Sequence, residues 1–191
     1  MTREQILDHA LKLLLERGLK RFSVTEVAER LGVVKSALYF YFPEGKNGIV
    51  NAVFQREEDK VLKAMEEAAA HALGCREKLR AMALAKLETI MNLAGLFSVS
   101  ASVTGEIASY CRAHREAFQE RERALLEKVL ADGMASGEVR PMDVQLLASA
   151  IQAALLEVTQ KAVENEALSA EALSDLLVDV LFFGISNRRQ A

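Results

Sequence analysis

The seven residues KSALYFY, at positions 35–41, carry side chains that suit the recognition of nucleic-acid bases. Lys35 can donate hydrogen bonds to O6 and N7 of guanine, and the Ser36 hydroxyl can serve either type of base edge. Ala37 offers a methyl group that can contact the methyl of thymine. We therefore predict that these three residues read base edges of double-stranded DNA.

Four neighbouring hydroxyl groups suit a second task, which is binding to phosphate. Tyr39 and Tyr41 can each donate a hydrogen bond to a phosphate oxygen, and such contacts set the register of a protein on a duplex. Ser23 and Thr25 lie at the start of the preceding helix, where backbone and hydroxyl donors meet anions. The alternative for each tyrosine is an amphipathic residue that packs against the fold.

Two short helices joined by a glycine turn are predicted to hold these side chains in place. Ser23 and Glu26 have the S-x-x-E spacing of a reciprocal capping box, which marks the start of the first helix. Gly32 ends it, because glycine readily adopts the left-handed conformation of a sharp turn. The second helix begins near residues 34–35 and stops at Phe42, before a proline. Residues 22–42 thus predict a helix-turn-helix, although helix-glycine-helix pairs also occur in ordinary helical cores.

The second helix ends in four consecutive aromatic residues, at positions 39–42. A single short helix cannot direct all four side chains into one core, because successive residues point in different directions. We expect Phe40 and Phe42 to lie in or beside the core. At least one of the four must nevertheless be displayed on the surface.

This segment resembles the signature of the tetracycline-repressor-like (TetR) family of bacterial transcription regulators, T-x-x-x-[IV]-A-x-x-x-G-V followed by [LIF]-Y-x-[HY]-F and a lysine. The matching residues are Ser23 in place of threonine, Val27, Ala28, Gly32, Val33, Leu38, Tyr39, Tyr41, Phe42 and Lys46. The resemblance implies that Lys46 also contacts phosphate. The chain departs from this signature at two places. Val34 stands where the family has serine or threonine, and valine stabilises a helix start less than those N-caps by roughly 1 kcal/mol. The link PEGK, at 43–46, is one residue longer than usual.

The rest of the chain is predicted to be helical, with no segment typical of a β-strand. The fold class is therefore all-α, with about nine helices divided at glycine and proline positions. The first helix begins at a Thr2–Gln5 capping box and ends at Arg17, and Pro141 begins a helix that continues to Asn165. With the resemblance, we expect a DNA-binding domain at 1–45 and an effector-binding and dimerisation domain at 46–191. The second domain includes a connecting helix at 46–73 and dimerisation helices at 141–187.

The last two helices are unusually apolar for a monomer. The resemblance implies that they pack with their symmetry mates in a four-helix bundle, and two-fold dimers are the commonest oligomers. The predicted interface residues are Leu147, Ile151, Leu155, Val158, Leu173, Leu177, Val180 and Leu181. A thick monomeric core is the alternative. A two-fold dimer would carry two reading helices and bind a palindromic operator, with half-sites about 34 Å apart or further.

The middle helices are expected, from the resemblance, to bind a small-molecule effector. The predicted pocket residues are Met82, Met91, Phe97, Val103, Tyr110, His114 and Phe118. The alternative for each is ordinary core packing. Arg76, Arg80 and Arg112 can meet an anionic head group, which favours an acyl-type or acyl-CoA-like effector.

Composition and charge agree with a cytoplasmic regulator. The net charge is -3, yet residues 1–50 hold eight basic and six acidic side chains, which gives the amino-terminal end +2 and the remainder -5. No stretch approaches the length of a membrane span, so we expect no membrane partner. Cys75 and Cys111 lack the spacing of a metal site or disulfide framework, and the histidines form no catalytic motif. We expect no enzyme activity, no metal and no cofactor; control by a protein partner instead of a small molecule is the alternative mode of regulation.

Overall fold

The computed structural model describes residues 1–95, 110, 116–165 and 167–185. Within these ranges the chain forms eight α-helices and no β-strand, in agreement with the all-α prediction. The helices are α1 Arg3–Arg21, α2 Val24–Leu31, α3 Lys35–Tyr41, α4 Lys46–Ala70, α5 Cys75–Gly95, α6 Glu116–Ala135, α7 Val144–Glu164 and α8 Ala170–Ile185. The sequence also predicts a helix at 97–111, of which Tyr110 alone is among the described residues. None of the described helices is long and apolar enough to cross a membrane.

A capping box marks the start of α1, and a glycine interrupts the helix near its other end. The Thr2 hydroxyl accepts a hydrogen bond from the Gln5 backbone N–H at 3.2 Å, and the Gln5 side chain accepts one from the Thr2 N–H at 2.8 Å. The predicted capping box is therefore confirmed. Near the other end, Gly18 has φ 76° and ψ 170°, so the backbone leaves helical geometry one residue after Arg17, where the helix was predicted to end. Helical residues resume and continue to Arg21.

The first compact unit comprises residues 1–59 and 94–115, as far as the latter are described. Its core is formed by the apolar faces of α1 to α3 and the first half of α4. The buried residues are Ile6, Leu7, Ala10, Leu13, Leu14, Phe22, Val24, Val27, Ala28, Leu38, Phe42, Ile49, Val50, Ala52 and Val53. The Arg56 guanidinium also ties α4 to α1, through ion pairs with Glu4 at 3.1 Å and Asp8 at 2.8 Å.

The second compact unit comprises residues 60–93 and 116–191, as far as these are described. Its apolar core is built from the second half of α4 and from α5 to α8. Gly133 of α6 lies so close to α5 that a Cβ there would stand 2.7 Å from both Cβ and Sγ of Cys75. Glycine is therefore required for this close approach of α5 and α6.

The start of α7 differs from the prediction. Asp143 is its N-cap, and the Asp143 carboxylate accepts hydrogen bonds from the backbone N–H groups of Gln145 and Leu146, both at 3.0 Å. Pro141 therefore lies before the helix and not in its first turn, because the aspartate supplies a stronger start signal two residues later. Ser169 caps α8, since its hydroxyl accepts a hydrogen bond from the Ala172 N–H at 3.4 Å.

Candidate nucleic-acid interface

The turn between α2 and α3 is held by the left-handed conformation of Gly32, with φ 67° and ψ 32°. The Gly32 N–H donates to the Glu29 carbonyl and the Val33 N–H donates to the Ala28 carbonyl, both at 3.0 Å. These bonds satisfy carbonyls that the helix end would leave unpaired. The residues predicted to form a helix-turn-helix therefore form one, with α3 fixed against α2.

Only half of the capping box predicted for α2 is formed. The Ser23 hydroxyl accepts from the Glu26 N–H at 3.5 Å, so Ser23 is the N-cap. The Glu26 carboxylate does not complete the reciprocal box: it accepts a hydrogen bond from Arg30, one turn later, at 3.0 Å. The charged partner on the same helix face offers the stronger bond.

Helix α3 presents its predicted base-reading residues to solvent. Lys35 and Ser36 are exposed and Ala37 is half-buried, while Leu38 is 1% exposed and fixes the helix to the core. Tyr39 is also exposed, and the Lys35 ammonium lies 5.8 Å from the centre of its ring. Lys35 and Tyr39 thus form one continuous surface by a cation–π contact. Val34 makes no side-chain cap and is 70% exposed, in agreement with the weak cap that its sequence predicted.

Phe40 lies on the surface and not in or beside the core as predicted. It is 84% exposed, whereas Phe42 is buried. The helical angle explains the difference, because two residues along a helix correspond to about 200° of rotation, which places Phe40 opposite buried Leu38. That periodicity was the signal available in the sequence. Phe40 adds an apolar ring to the exposed face, edge-on to Tyr41 with ring centres 5.4 Å apart.

The polar atoms of Tyr41 and Lys46 are engaged inside the first unit. The Tyr41 hydroxyl donates to the Met1 carbonyl at 3.0 Å. The Lys46 ammonium donates to the Leu19 carbonyl at 2.7 Å and lies 5.9 Å from the centre of the Phe22 ring. Lys46 therefore holds the end of α1 against the start of α4.

The remaining predicted phosphate contacts lie at the start of α2. Thr25 is exposed, and Ser23 is half-buried with its hydroxyl used in the helix cap. Arg30 is paired with Glu16 at 2.7 Å; this hydrogen bond raises the pKa of Arg30 and lowers the pKa of Glu16. Lys35 is the one charged residue of α3, and it is exposed. It is therefore the positive charge best placed to meet DNA on the helix-turn-helix surface.

The predicted effector residues that the structure describes belong to two different compact units. Met82 is buried in the core of the second unit, with Met91 and Phe118 half-buried in the same unit. Tyr110 belongs to the first unit. Its ring stacks on the ring of Phe54, with ring centres 4.8 Å apart, and its hydroxyl donates a hydrogen bond to the Asn51 side chain. The other predicted pocket residues, Phe97, Val103 and His114, lie outside the described residues.

A small apolar cavity lies within the second unit, and none of the predicted pocket residues that the structure describes lines it. Its walls come from α5 to α8 and consist of Leu79, Ala83, Leu126, Ile151, Leu155, Leu177, Val178, Leu181 and Phe182. Periodicity alone could not distinguish these residues from ordinary core residues, since both are apolar at helical spacing.

Two arginines that were predicted to meet an anionic head group are paired within the chain. The Arg76 guanidinium donates to Asp179 at 2.5 Å, and Arg80 donates to Asp175. These hydrogen bonds raise the pKa of each arginine, and they connect α5 to α8. Arg112 lies outside the described residues. No local sequence pattern predicts these pairings, because each joins residues about a hundred positions apart.

The residues predicted for a dimer interface divide into two groups. Leu147, Ile151, Leu155 and Leu177 are buried within the single chain, so the thick-core alternative describes these four. Val158, Leu173 and Leu181 are half-buried, whereas Val180 is 67% exposed. Three further large apolar side chains on α7 and α8 are exposed, namely Leu146, Leu176 and Phe183.

The fold and the exposed face of α3 define a helix-turn-helix DNA-binding protein. Residues 6–53 match the family model of bacterial regulatory proteins of the tetR family. The amino-terminal domain of the chain therefore belongs to the tetR family, as its signature residues predicted.

Relatives extend the similarity along the chain. The chain is 26% identical over 189 residues to the fatty acid metabolism regulator protein of Bacillus subtilis (strain 168), covering 96% of this chain and 95% of the relative. It is also 26% identical over 149 residues to the HTH-type transcriptional repressor KstR2 of Rhodococcus jostii (strain RHA1), covering 75% and 71% of the two chains.

Solved structures share the fold. The transcriptional regulator FadR from Bacillus subtilis, in complex with stearoyl-CoA, matches with a TM-score of 0.75 at 23% identity, covering 96% of this chain and all (100%) of that chain. The fatty acid degradation regulator FadR from Bacillus halodurans matches with a TM-score of 0.73 at 21% identity, covering 96% and 99%.

Proposed function

We propose that this protein is a ligand-responsive transcriptional repressor that binds a palindromic operator as a dimer and is released by an acyl-type effector, such as an acyl-CoA. The observation that carries the proposal is the face of α3, where Lys35, Ser36 and Tyr39 are exposed while buried Leu38 and the Gly32 turn fix the helix. Residues 1–45 form the DNA-binding domain in this proposal. Residues 46–191 bind the effector and dimerise, with 46–73 as the connecting helix. Such a regulator works in the cytoplasm, where its operator is.

The roles proposed for the individual residues follow from their positions. Lys35 and Ser36 bind base edges in the major groove, with Ala37 and Phe40 offering apolar contacts to thymine methyl groups. Tyr39 and Thr25 bind phosphate, and Ser23 fixes the start of α2 beside them. Tyr41 and Lys46 act indirectly, because their polar atoms already hold α3 and α4 against α1.

Dimerisation is proposed through the exposed apolar face of α7 and α8. A solvated monomer would leave four large side chains in water there: Leu146, Leu176, Val180 and Phe183. Pairing with a second copy would bury them, at a gain of about 25 cal/mol for each Å² of apolar surface. The two α3 helices of a two-fold dimer then reach successive turns of one DNA face, about 34 Å apart or further.

The acyl-type effector is supported by the relatives. One of them regulates fatty acid metabolism, and a structural neighbour was solved with stearoyl-CoA bound. The effector releases the operator if it binds better to a form of the dimer in which the two α3 helices are misplaced. Control by a protein partner is the competing mode. Thermal stabilisation of the purified protein by acyl-CoA would favour the small molecule.

The test begins with selection of genomic DNA fragments on the purified protein. The recovered fragments are expected to share a palindrome, and fluorescence anisotropy with that operator is then measured with and without decanoyl-CoA. The proposal expects a loss of operator affinity when the ligand is present. Recovery of fragments without a common sequence, or ligand binding without any change in operator affinity, would contradict it.

A variant separates base reading from general DNA affinity. Lys35→Ala is expected to lower the preference for operator over random DNA at one base pair, by about 1–3 kcal/mol. An equal loss of affinity for operator and random DNA would mean that Lys35 contacts only the DNA backbone. The exposed lysine Lys63, on the second half of α4, provides the matched control variant, Lys63→Ala.

A further inference from the structure

A charged pair is buried inside the second unit. The Lys86 ammonium on α5 donates to the Glu122 carboxylate on α6 at 2.5 Å, and the two side chains are only 3% and 1% exposed. Gln152 on α7 donates to the other carboxylate oxygen at 3.0 Å and to the Gln119 carbonyl at 2.8 Å. The ammonium also lies 5.7 Å from the centre of the Phe118 ring. Three helices thus converge on one polar cluster, Lys86, Glu122 and Gln152.

Stability alone does not account for this cluster. Removing two charges from water costs several kcal/mol for each ion, and apolar residues of similar volume are often as stabilising as a buried ion pair. Among the described residues of this unit, the other buried polar side chains are uncharged, namely Gln152, Thr159 and Ser174. A pair retained at that cost suggests a role in binding a polar group.

The small apolar cavity lies next to the polar cluster. On each of the three helices, a residue that lines the cavity is one helical turn from a member of the cluster: Ala83 from Lys86, Leu126 from Glu122, and Leu155 from Gln152. Residues three or four positions apart share one face of a helix and are neighbours. The site therefore has an apolar compartment with a polar end.

We infer that this site binds an elongated apolar ligand whose chain occupies the cavity and whose uncharged carbonyl oxygen, as in an ester or thioester, accepts a hydrogen bond from Lys86. The inference rests on the proposed acyl-type effector and adds which end of the ligand is recognised and which head groups are rejected. An ammonium has three N–H donors, and Glu122 accepts from one of them. The cavity is smaller than a fatty chain, so binding must widen it. Leu181 and Phe182 are the two half-buried residues of its lining, so we expect the widening on their side.

The charge of the cluster decides between head groups. Lys86 and Glu122 together are neutral, so a carbonyl adds no charge to the interior. A free carboxylate would bring a net negative charge into a buried site and would lie close to Glu122, which disfavours its ionised form. The site therefore selects acyl esters and thioesters against free fatty acids.

The test uses isothermal titration calorimetry at pH 8 with methyl decanoate and decanoic acid, both below their aggregation limits. The wild-type protein is expected to bind the ester at least about tenfold more tightly than the acid. Glu122→Gln keeps the hydrogen-bonding shape but leaves a net positive site, so the ester-to-acid affinity ratio should fall by about tenfold or more. Lys161→Met/Glu164→Gln, on the exposed pair of α7, is the matched control and should leave the ratio unchanged.

A second variant keeps the inference testable if Glu122→Gln does not fold. Lys86→Met/Glu122→Gln removes both charges without leaving either unpaired, and its affinity for methyl decanoate should fall about tenfold because the ammonium donor is lost. An unchanged ester-to-acid ratio in Glu122→Gln, or unchanged ester affinity in the double variant, overturns the inference while acyl binding itself stands. If decanoyl-CoA and both probes fail to bind wild-type protein, the proposed acyl effector falls together with the inference.

Discussion

Replacing Lys46 by methionine separates a structural lysine from a phosphate-binding lysine. Methionine keeps an apolar stem of similar length but removes the ammonium, which donates to the Leu19 carbonyl at 2.7 Å. A hydrogen bond from a charged group contributes about 1.5–3 kcal/mol. Because Lys46 is only half-buried and water can replace part of the bond, the lower end of that range applies. The contact with the Phe22 ring adds about 0.5 kcal/mol, so the expected loss is about 2 kcal/mol.

Urea unfolding followed by tyrosine fluorescence measures this loss in the relevant unit. The chain has no tryptophan and three tyrosines, and Tyr39, Tyr41 and Tyr110 all belong to the first compact unit. Lys63→Met, on the same helix α4, is the matched control, because Lys63 is exposed and pairs only loosely with Glu67 at 3.6 Å. The control variant should unfold within about 0.5 kcal/mol of wild type.

Operator binding at several salt concentrations supplies the refuting result. If Lys46 acts only inside the protein, the slope of log affinity against log salt concentration should be the same in Lys46→Met as in wild type. A lysine that touched phosphate would make that slope shallower by about 0.9 for each protomer. A shallower slope together with unchanged urea stability would show that the lysine binds DNA and that the Leu19 contact contributes little.

Three further predictions concern the second unit. Burial raises the pKa of the Cys75 thiol from 9.0 to about 11. As the pH rises, the thiol therefore loses its proton in the unfolded chain before it does so in the folded chain. The free energy of unfolding should fall between pH 9 and 11, by up to about 1.4 kcal/mol for each pH unit. Circular dichroism during urea unfolding checks this, since Cys75→Ala should lose the extra pH dependence; an equal slope in both proteins would refute it. Gly133→Ala should destabilise the unit by about 1–3 kcal/mol in the same assay, because its Cβ would stand 2.7 Å from Cys75, and a neutral result would mean that α5 and α6 separate easily. Val180→Asp should leave the fold intact, because Val180 is exposed. It should disrupt the dimer, so that sedimentation measures the mass of one chain, 21.0 kDa. A dimer that survives the substitution would place the interface elsewhere.

Local sequence signals predicted much of the fold and the outline of the site. Helix caps and glycine turns depend on residues a few positions apart, so they can be predicted from the sequence alone. Examples here are the Thr2–Gln5 capping box, the Gly32 turn and the Ser23 cap. The prediction for Phe40 was wrong because its angle on the helix, about 200° from buried Leu38, directs the ring to solvent despite its hydrophobicity. The prediction that Pro141 begins α7 was wrong because a proline can equally precede a capped helix, here one that begins after Asp143.

Long-range partners were beyond the sequence. Lys46 and Leu19, Arg76 and Asp179, and the cluster of Lys86 with Glu122 are brought together only by folding. Nothing in the sequence distinguishes a lysine that reaches a carbonyl inside the fold from one that remains free for a phosphate. The apolar faces of α7 and α8 were likewise evident, but not which of their residues point inward.

The helical class, the helix-turn-helix and the residues carried by α3 can all be predicted from the sequence, because helix periodicity, caps and glycine turns depend on near neighbours. The tertiary structure decided which of those residues remain free to meet DNA, which leucines of the last two helices enter the core, and where a buried charged pair adjoins an apolar cavity. Those outcomes depend on the packing of helices distant in the chain, where burial and pairing are set by partners that no local pattern specifies.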